Sequence, residues 1–573
     1  MARSRRKKRK WRRRLLWVGA TAGLLLVLLA GAARYFAVRL KPTLHEATLN
    51  YLRDWFGGNV ELDSFDVHMP VSDPVRLLLE KGRGTHVRIR INGIKIQHRS
   101  LQNLPPLLLM NRLEFQLELS TLWERPVRVD YVKLAELELT IPPKGARSGL
   151  AVLSHSALSG PAESKEKPST ETNESDQQNP AKPLVLIDHV DTDGMKLTIL
   201  PRNPEREPLK FEMKTLRLES AGIGVPMRYR TIMTNAKPPG LIQCTGTFGP
   251  FVTNEPGESP LSGDYSFKDA NLGVFEAIDG KLVSSGHFEG KLNNIVVDGQ
   301  ANVPDFRLKS AGNAVSLKTR FHAIVDGTDG DTLLQPVIAT LGSSNFECRG
   351  GIARNKDDSK KTINLNVVVS KGRIEDFVRL AVKGTKPPLI GNARMKFQMR
   401  VPPGAGSVLS RLMLDGTFSL EGAGFTSPTV QEKIDDISRR TQGKPSAADI
   451  QGVTSDFEGS FQLKKGLLQL PQLLFTVPGA EVSLDGWYDL NSENMDLRGI
   501  VRTKARVSQM VKNPLKRILL KPVDPFFAKD GSGAVIRIAI TGNRSNPQFA
   551  RDKQNERDRL RRSAKIPAQK ATK

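Results

Sequence analysis

The chain has 573 residues, with 86 Lys and Arg against 60 Asp and Glu, a formal charge of +26, 6% aromatic residues and two cysteines. Two cysteines are too few for a disulfide framework, and Cys244 and Cys348 could be bridged or free. The charge gathers at the ends, where residues 1–14 contribute +10 and residues 551–573 contribute +6, leaving +10 for the other 536 residues. With no basic stretch interleaved with aromatics to stack bases, this distribution argues against a nucleic-acid partner.

In chain order, MARSRRKKRKWRRR (1–14) reads as a basic cytoplasmic tail suited to anionic lipid headgroups. The next 19 residues, Leu15 to Ala33, carry no charge. As a helix they reach roughly 28 Å, close to the ~30 Å hydrocarbon thickness, so they predict a single transmembrane helix. The positive-inside rule keeps the basic end in the cytoplasm and sends the rest across. Ala30-Gly31-Ala32 fits a cleaved signal peptide as well, but the apolar stretch is longer than signal peptides use, which favours an anchor. The expected location is therefore a bacterial inner membrane, with the bulk of the chain periplasmic.

Pro42 to Phe56 has helical spacing and a Gly57-Gly58 stop, predicting a short amphipathic helix that opens a segment spanning 34–155. Beyond it the apolar period becomes two. VRIRI sets Ile89 and Ile91 against arginines, and LEFQLEL sets Leu113, Phe115, Leu117 and Leu119 against Glu and Gln. RMKFQMRV repeats the pattern with Phe397 and Met399, and VIRIAITG with Ile536, Ile538 and Ile540. Such runs predict antiparallel strands with one apolar and one polar face, and those eleven residues are the candidate lining of an apolar groove. Residues 156–182, rich in Ser, Glu, Pro and Asn, read as a disordered linker before a main β segment at 183–550. Val430–Thr441 and Val507–Leu520 have helical spacing, and 551–573 reads as a charged disordered tail. Gly, Pro and Asn/Asp turns punctuate the strands, which should number roughly 30 at ~13 residues each.

No catalytic signature stands out. The eight histidines are scattered without metal-ligand spacing, and His287 and His322 read as solvated strand residues. There is no GxSxG elbow, P-loop or GxGxxG. Asp326, Asp329 and Asp331 in VDGTDGDT read as a hairpin turn, since a calcium loop would need a distal carboxylate where Val337 stands. The reading is a protein that is not an enzyme and has no cofactor. Its amphipathic sheet either folds on itself as a sandwich or solenoid, or curls into a trough that stays open to apolar ligands.

The C-terminal half carries a resemblance. The stretch from SDFEGSFQLKKG through MDLRGIV (455–501), then PVDPFFAKDGSGAVIRIAITGNRSNPQFARD (522–552), resembles the closing module of the AsmA-like family, ending in Gly-x-x-x-x-Pro-x-Phe at Gly542 to Phe549. Upstream, 298–334 resembles stretches common in these proteins, and the start matches with one membrane helix, an amphipathic helix and Gly57-Gly58-x-Val60. The resemblance covers roughly two-thirds of the chain, and the 156–182 insertion departs from it. It implies an elongated, curled antiparallel sheet, the repeating β-groove shared with eukaryotic chorein-type bridge proteins. It also implies phospholipids as partners, carried between the inner and outer membranes or used in outer-membrane assembly. The alternative is an envelope scaffold that contacts outer-membrane or periplasmic proteins and carries no lipid.

Overall fold

The computed structural model of the protein describes residues 60–68, 83–97, 104–141 and 185–552, apart from short stretches inside the last two ranges. Of the described residues 64% are in strands. The apolar segment Leu15–Ala33, the amphipathic segment 42–56, the 156–182 segment and the tails 1–14 and 553–573 lie outside them. Among the described residues no helix is long and apolar enough to cross a membrane. The chain forms two compact units, one made of residues up to 270 with 285–295, the other of 271–284 with the residues from 296 onward.

The first unit contains β1 (Val60–Glu61), β2 (Ser64–His68), β3 (His86–Ile96), β4 (Leu108–Glu118), β5 (Val127–Ile141), β6 (Val185–Ile199), β7 (Leu209–Gly222), β8 (Met227–Thr234), β9 (Leu241–Phe248) and β10 (Pro260–Asn271). Both β1 and β2 pair with β3, and from there each strand pairs with the next. The alternation of β3 is realised in burial: Val87, Ile89 and Ile91 are buried while His86 and Arg88 are exposed. Gly93, at φ +63°, breaks the period there, because its left-handed backbone brings Ile94 and Ile96 back to the same cluster.

One pairing departs from the all-antiparallel expectation: β5 and β6 run parallel, from Val127↔Val185 to Ile141↔Ile199. A hairpin cannot join parallel neighbours, so the 43 residues at 142–184 must return the chain along the full length of β5. The sheet of this unit therefore continues directly across the 156–182 segment.

The second unit begins with β11 (Ile278–Asp279), whose partner is β13 (Asn294–Leu308); β12 (Lys281–Lys291) lies between them in sequence, and the division between units falls inside β12 and β13. Then follow β14 (Val315–Val325), β15 (Thr332–Leu341), β16 (Ser344–Asn355), β17 (Asp358–Arg373), α1 (Ile374–Ala381), β18 (Leu389–Val401), α2 (Val408–Arg411), β19 (Met413–Phe425), α3 (Pro428–Thr441), β20 (Ser455–Lys464), β21 (Leu467–Val477), β22 (Ala480–Asp489), β23 (Asn494–Thr503), α4 (Pro514–Leu520), α5 (Asp524–Phe527), β24 (Ala534–Asn543) and β25 (Asn546–Arg551). From β14 to β25 every strand pairs antiparallel with its successor. The Asp326–Asp331 stretch is the expected hairpin turn, with Val325 opposite Thr332.

Because antiparallel strands alternate in direction, β17, β19 and β23 all end at the same rim, and α1, α3 and the α4–α5 pair all follow from that rim. Small buried residues line it, among them Ala423, Ser455, Val477, Thr503 and Ala534, which leaves room for helices to lie close. Carboxylates fix the helices. Asp376 of α1 accepts hydrogen bonds from the Ser343 N–H and from the Ser343 and Ser344 hydroxyls at 2.7–2.9 Å. Asp435 of α3 accepts from the backbone N–H groups of Gly452 and Val453.

Two sequence expectations need correction. The helical pattern over Val507–Leu520 is not one helix. A 3-10 turn at Val507–Met510 is separated by residues 511–513 from α4, whose first position is taken by Pro514, which has no N–H to donate, behind the Asn513 cap. Leu119 is not on a strand either. It opens a 3-10 turn, Leu119–Trp123, in which the Thr121 hydroxyl donates to the carbonyls of Glu118 and Arg128.

Each unit is an open, curled sheet rather than a sandwich. Among the described residues the large apolar side chains below 2% exposure are Ile91, Ile96 and Val369, far fewer than two sheets packed face to face would bury.

Candidate functional site

The candidate lining residues fall into two groups, one in each unit. In the first unit Ile89, Ile91, Leu113, Phe115 and Leu119 pack with Val60, Phe65, Val87, Ile94 and Ile96 in one cluster, and Leu117, opposite Val87, is buried as well. Ile89, Ile91 and Leu117 are buried there, whereas Leu113, Phe115 and Leu119 are of intermediate exposure.

The second group forms a surface. Directly opposite residues of an antiparallel pair share a face, so the register traces rows across the strands. One row runs Met399, Leu414, Leu463, Leu468, Tyr488 and Met495. The next holds Phe397, Gly416 and Phe461, then, past a bulge in β21, Leu470, Gly486, Leu497 and Ile540. A third runs Met395, Phe418, Gly459, Leu473, Leu484, Gly499 and Ile538. The fourth runs Ala393, Leu420, Phe457, Phe475, Val482, Val501 and Ile536. Seven strands at ~4.8 Å and four rows at ~6.8 Å give an apolar field of roughly 29 by 20 Å.

Its interior is partly closed, with Ala393, Leu420, Leu463, Val482 and Leu484 buried. Phe397, Met399, Phe418, Phe457, Phe461, Ile536, Ile538 and Ile540 are all of intermediate exposure. Aromatic rings touch across strands: Phe397 and Phe418 each lie about 6 Å from Phe461, and Phe457 lies 4.8 Å from Phe475. Glycine opposite an aromatic makes this possible, since a Cβ at Gly416 would collide with the Cα and Cβ of Phe397. On the β17 side, Val367, Val369 and Cys348 are buried and Phe377 of α1 packs against them. Sequence reasoning missed the aromatics of β19 to β21, although the period-two run SDFEGSFQL carries two of them, Phe457 and Phe461.

The opposite face is polar. Arg394, Lys396, Gln398 and Arg400 alternate with the apolar residues of β18 and are exposed. A depression of about 520 Å³ on this face is lined by Arg394, Lys396, Thr417, Glu458, Ser460 and Gln472, with Arg394 paired to Glu421. Its lining is mixed, since Val368, Leu474 and the Met395, Phe418 and Gly459 positions of the third apolar row also border it.

The titratable groups offer structure more than chemistry. His287 pairs with Asp264 at 2.9 Å and His322 with Asp298 at 2.8 Å, each exposed on its strand. Among the described residues no group of three or more His, Cys, Asp or Glu could hold a metal. Cys244 and Cys348 are both free. Burial pushes the Cys348 thiol up and Cys244 to about 11, so both stay protonated at neutral pH.

No family, no curated protein and no solved structure matches the chain.

Proposed function

We propose that the protein binds acyl chains of phospholipids on the apolar field of the second unit, as an AsmA-like envelope protein. Leu15–Ala33 anchors it in the inner membrane, and it serves phospholipid transport between the two membranes or outer-membrane assembly. The observation that carries this reading is the field itself: four apolar rows over seven strands, with Ile374 of α1 packed on the fourth row and many side chains elsewhere, the aromatics among them, left half-buried. An exposed apolar surface of that size favours a ligand over water. Each methylene moved fully onto it contributes up to about 0.8 kcal/mol, so a dozen half-covered methylenes give roughly 5 kcal/mol. A photo-crosslinking amino acid at Phe397 should capture phospholipid in cells, and the same group at Gln398, one residue along and on the other face, should not. Equal capture at both positions, or none at Phe397, would overturn the proposal.

A second reading, an envelope scaffold without lipid, is favoured by β25. This edge strand is exposed along nearly its whole length, with Phe549 73% exposed, and such an edge can accept a strand from a partner. Lipid retained through gentle extraction separates the two readings.

A further inference from the structure

The most exposed apolar side chains of the second unit, apart from Phe549, lie outside the apolar field. Leu515 is 72% exposed, Ile518 63%, Leu519 75% and Phe526 81%, whereas the next large apolar residue, Ile338, is 48% exposed. Three of the four share α4 at positions i, i+3 and i+4, and therefore one face of that helix. The fourth begins the exposed side of α5.

This exposure belongs to a built element. Asn513 caps α4 by accepting from the N–H groups of Leu515 and Lys516. The buried Asp524 accepts from the Ser508 N–H at 2.8 Å and the Ser508 hydroxyl at 2.6 Å. The Phe527 ring lies 4.9 Å below the Arg551 guanidinium. The hairpin is thus held at its base while its outer side presents four large apolar groups to water.

Charge names the occupant. From Lys504 to Val523 the sequence has Lys504, Arg506, Lys512, Lys516, Arg517 and Lys521 and no acid, and the first acid, Asp524, is turned inward. Lys512, Lys516, Arg517 and Lys521 are exposed beside the apolar groups. Apolar side chains flanked by basic ones suit an anionic bilayer surface, with the former among the acyl chains and the latter at the headgroups. We infer that the α4–α5 hairpin docks on an anionic lipid bilayer by inserting Leu515, Ile518, Leu519 and Phe526.

This docking does not depend on lipid occupying the apolar field, and a local probe keeps the two readings apart. The full chain carrying Cys244→Ser and Cys348→Ala is labelled with an environment-sensitive nitrobenzoxadiazole dye at Leu519→Cys or, as the control, at Gln398→Cys. Vesicles of phosphatidylethanolamine and phosphatidylglycerol (3:1) should shift the 519 emission to the blue and leave 398 unchanged, even where the N-terminal segment also holds the protein on the vesicle. Brominated lipid should quench 519. Phe526→Glu with Ile518→Glu should weaken the 519 response by on the order of tenfold or more, and Lys516→Glu with Arg517→Glu should weaken it on the anionic vesicles. No shift at 519 on bound protein would overturn the inference. So would an equal shift on phosphatidylcholine vesicles. A shift that grows with protein concentration without vesicles would assign the face to a second copy of the chain and overturn it as well.

Discussion

Phe397 and Ile538 carry the sharpest test of the apolar field, because each has a charged or polar neighbour in sequence that faces the other way. Phe397→Asp or Ile538→Asp should leave a folded protein with little bound lipid, since a carboxylate on a half-open face keeps contact with water. On a closed core the same change would cost several kcal/mol and the protein would be degraded. Gln398→Asp and Arg537→Glu should be mild. Lipid content and thermal midpoints of the four variants decide it, and a folded Ile538→Asp protein with unchanged lipid content would count against the field. Asp435 offers a different check. Its burial raises its pKa, but the N–H groups of Val453 and Gly452 and the Gln431 amide outweigh that and hold the carboxyl below the ordinary range. A depressed folded pKa contributes stability that is present above the unfolded value of about 3.9 and is lost as pH falls through the folded one. Asp435→Asn should therefore cost about 1–3 kcal/mol at pH 7. It should also flatten the acid limb of stability, which denaturant midpoints at pH 7 and pH 3 would show. At this scale the alternation in VRIRI, RMKFQMRV and VIRIAITG told which side chains share a face. It could not tell that Gly416 faces Phe397, because that depends on which residue of a neighbouring strand lies opposite.

Among elements, the parallel β5–β6 pair changes what the 156–182 segment is for. From Ile141 the chain must travel back about 46 Å to start β6 beside Val127. The 43 residues of 142–184 do this with ample slack. Removing all 27 residues of 156–182 leaves 16, which span about 56 Å when fully extended, so they reach only if held nearly straight, with little length left to pass around the strand. Removing 163–176 should leave stability unchanged, whereas removing the whole segment should strain or break the pairing, seen as a lowered thermal midpoint. Limited proteolysis should cut 156–182 first, and the two fragments should elute together because β5 and β6 still pair. Fragments that separate, or a full deletion as stable as the parent, would refute this. The composition of the segment was legible, but a parallel partner 58 residues away was not, since nothing local encodes direction. The split at Pro514 was written in the sequence and outweighed by the helical spacing on either side of it. Helix α3, with no internal proline, runs from Pro428 to the expected end at Thr441.

For the whole molecule, the proposed function predicts an N-in, C-out topology, with ten basic residues ahead of the apolar segment. A C-terminal alkaline phosphatase fusion should be active and a cytoplasmic reporter at the same position silent, and the reverse would remove the envelope assignment. The mainly β class was legible from periodicity across hundreds of residues. The grouping into two units was not, because it follows from contacts rather than from pattern. From β14 to β25 the ladder links only sequence neighbours, and this bears on how cooperatively the second unit melts. In such a one-dimensional array the free energy is close to a sum of strand terms and nearest-neighbour terms, so opening can begin at an edge and travel inward. Native-state hydrogen exchange should show a gradient of protection falling toward β25, and a destabilising change in β18 should speed exchange in β17 and β19 well before it is felt at β24. The sheet would then yield strand by strand, with a broad denaturant transition in place of a single sharp one.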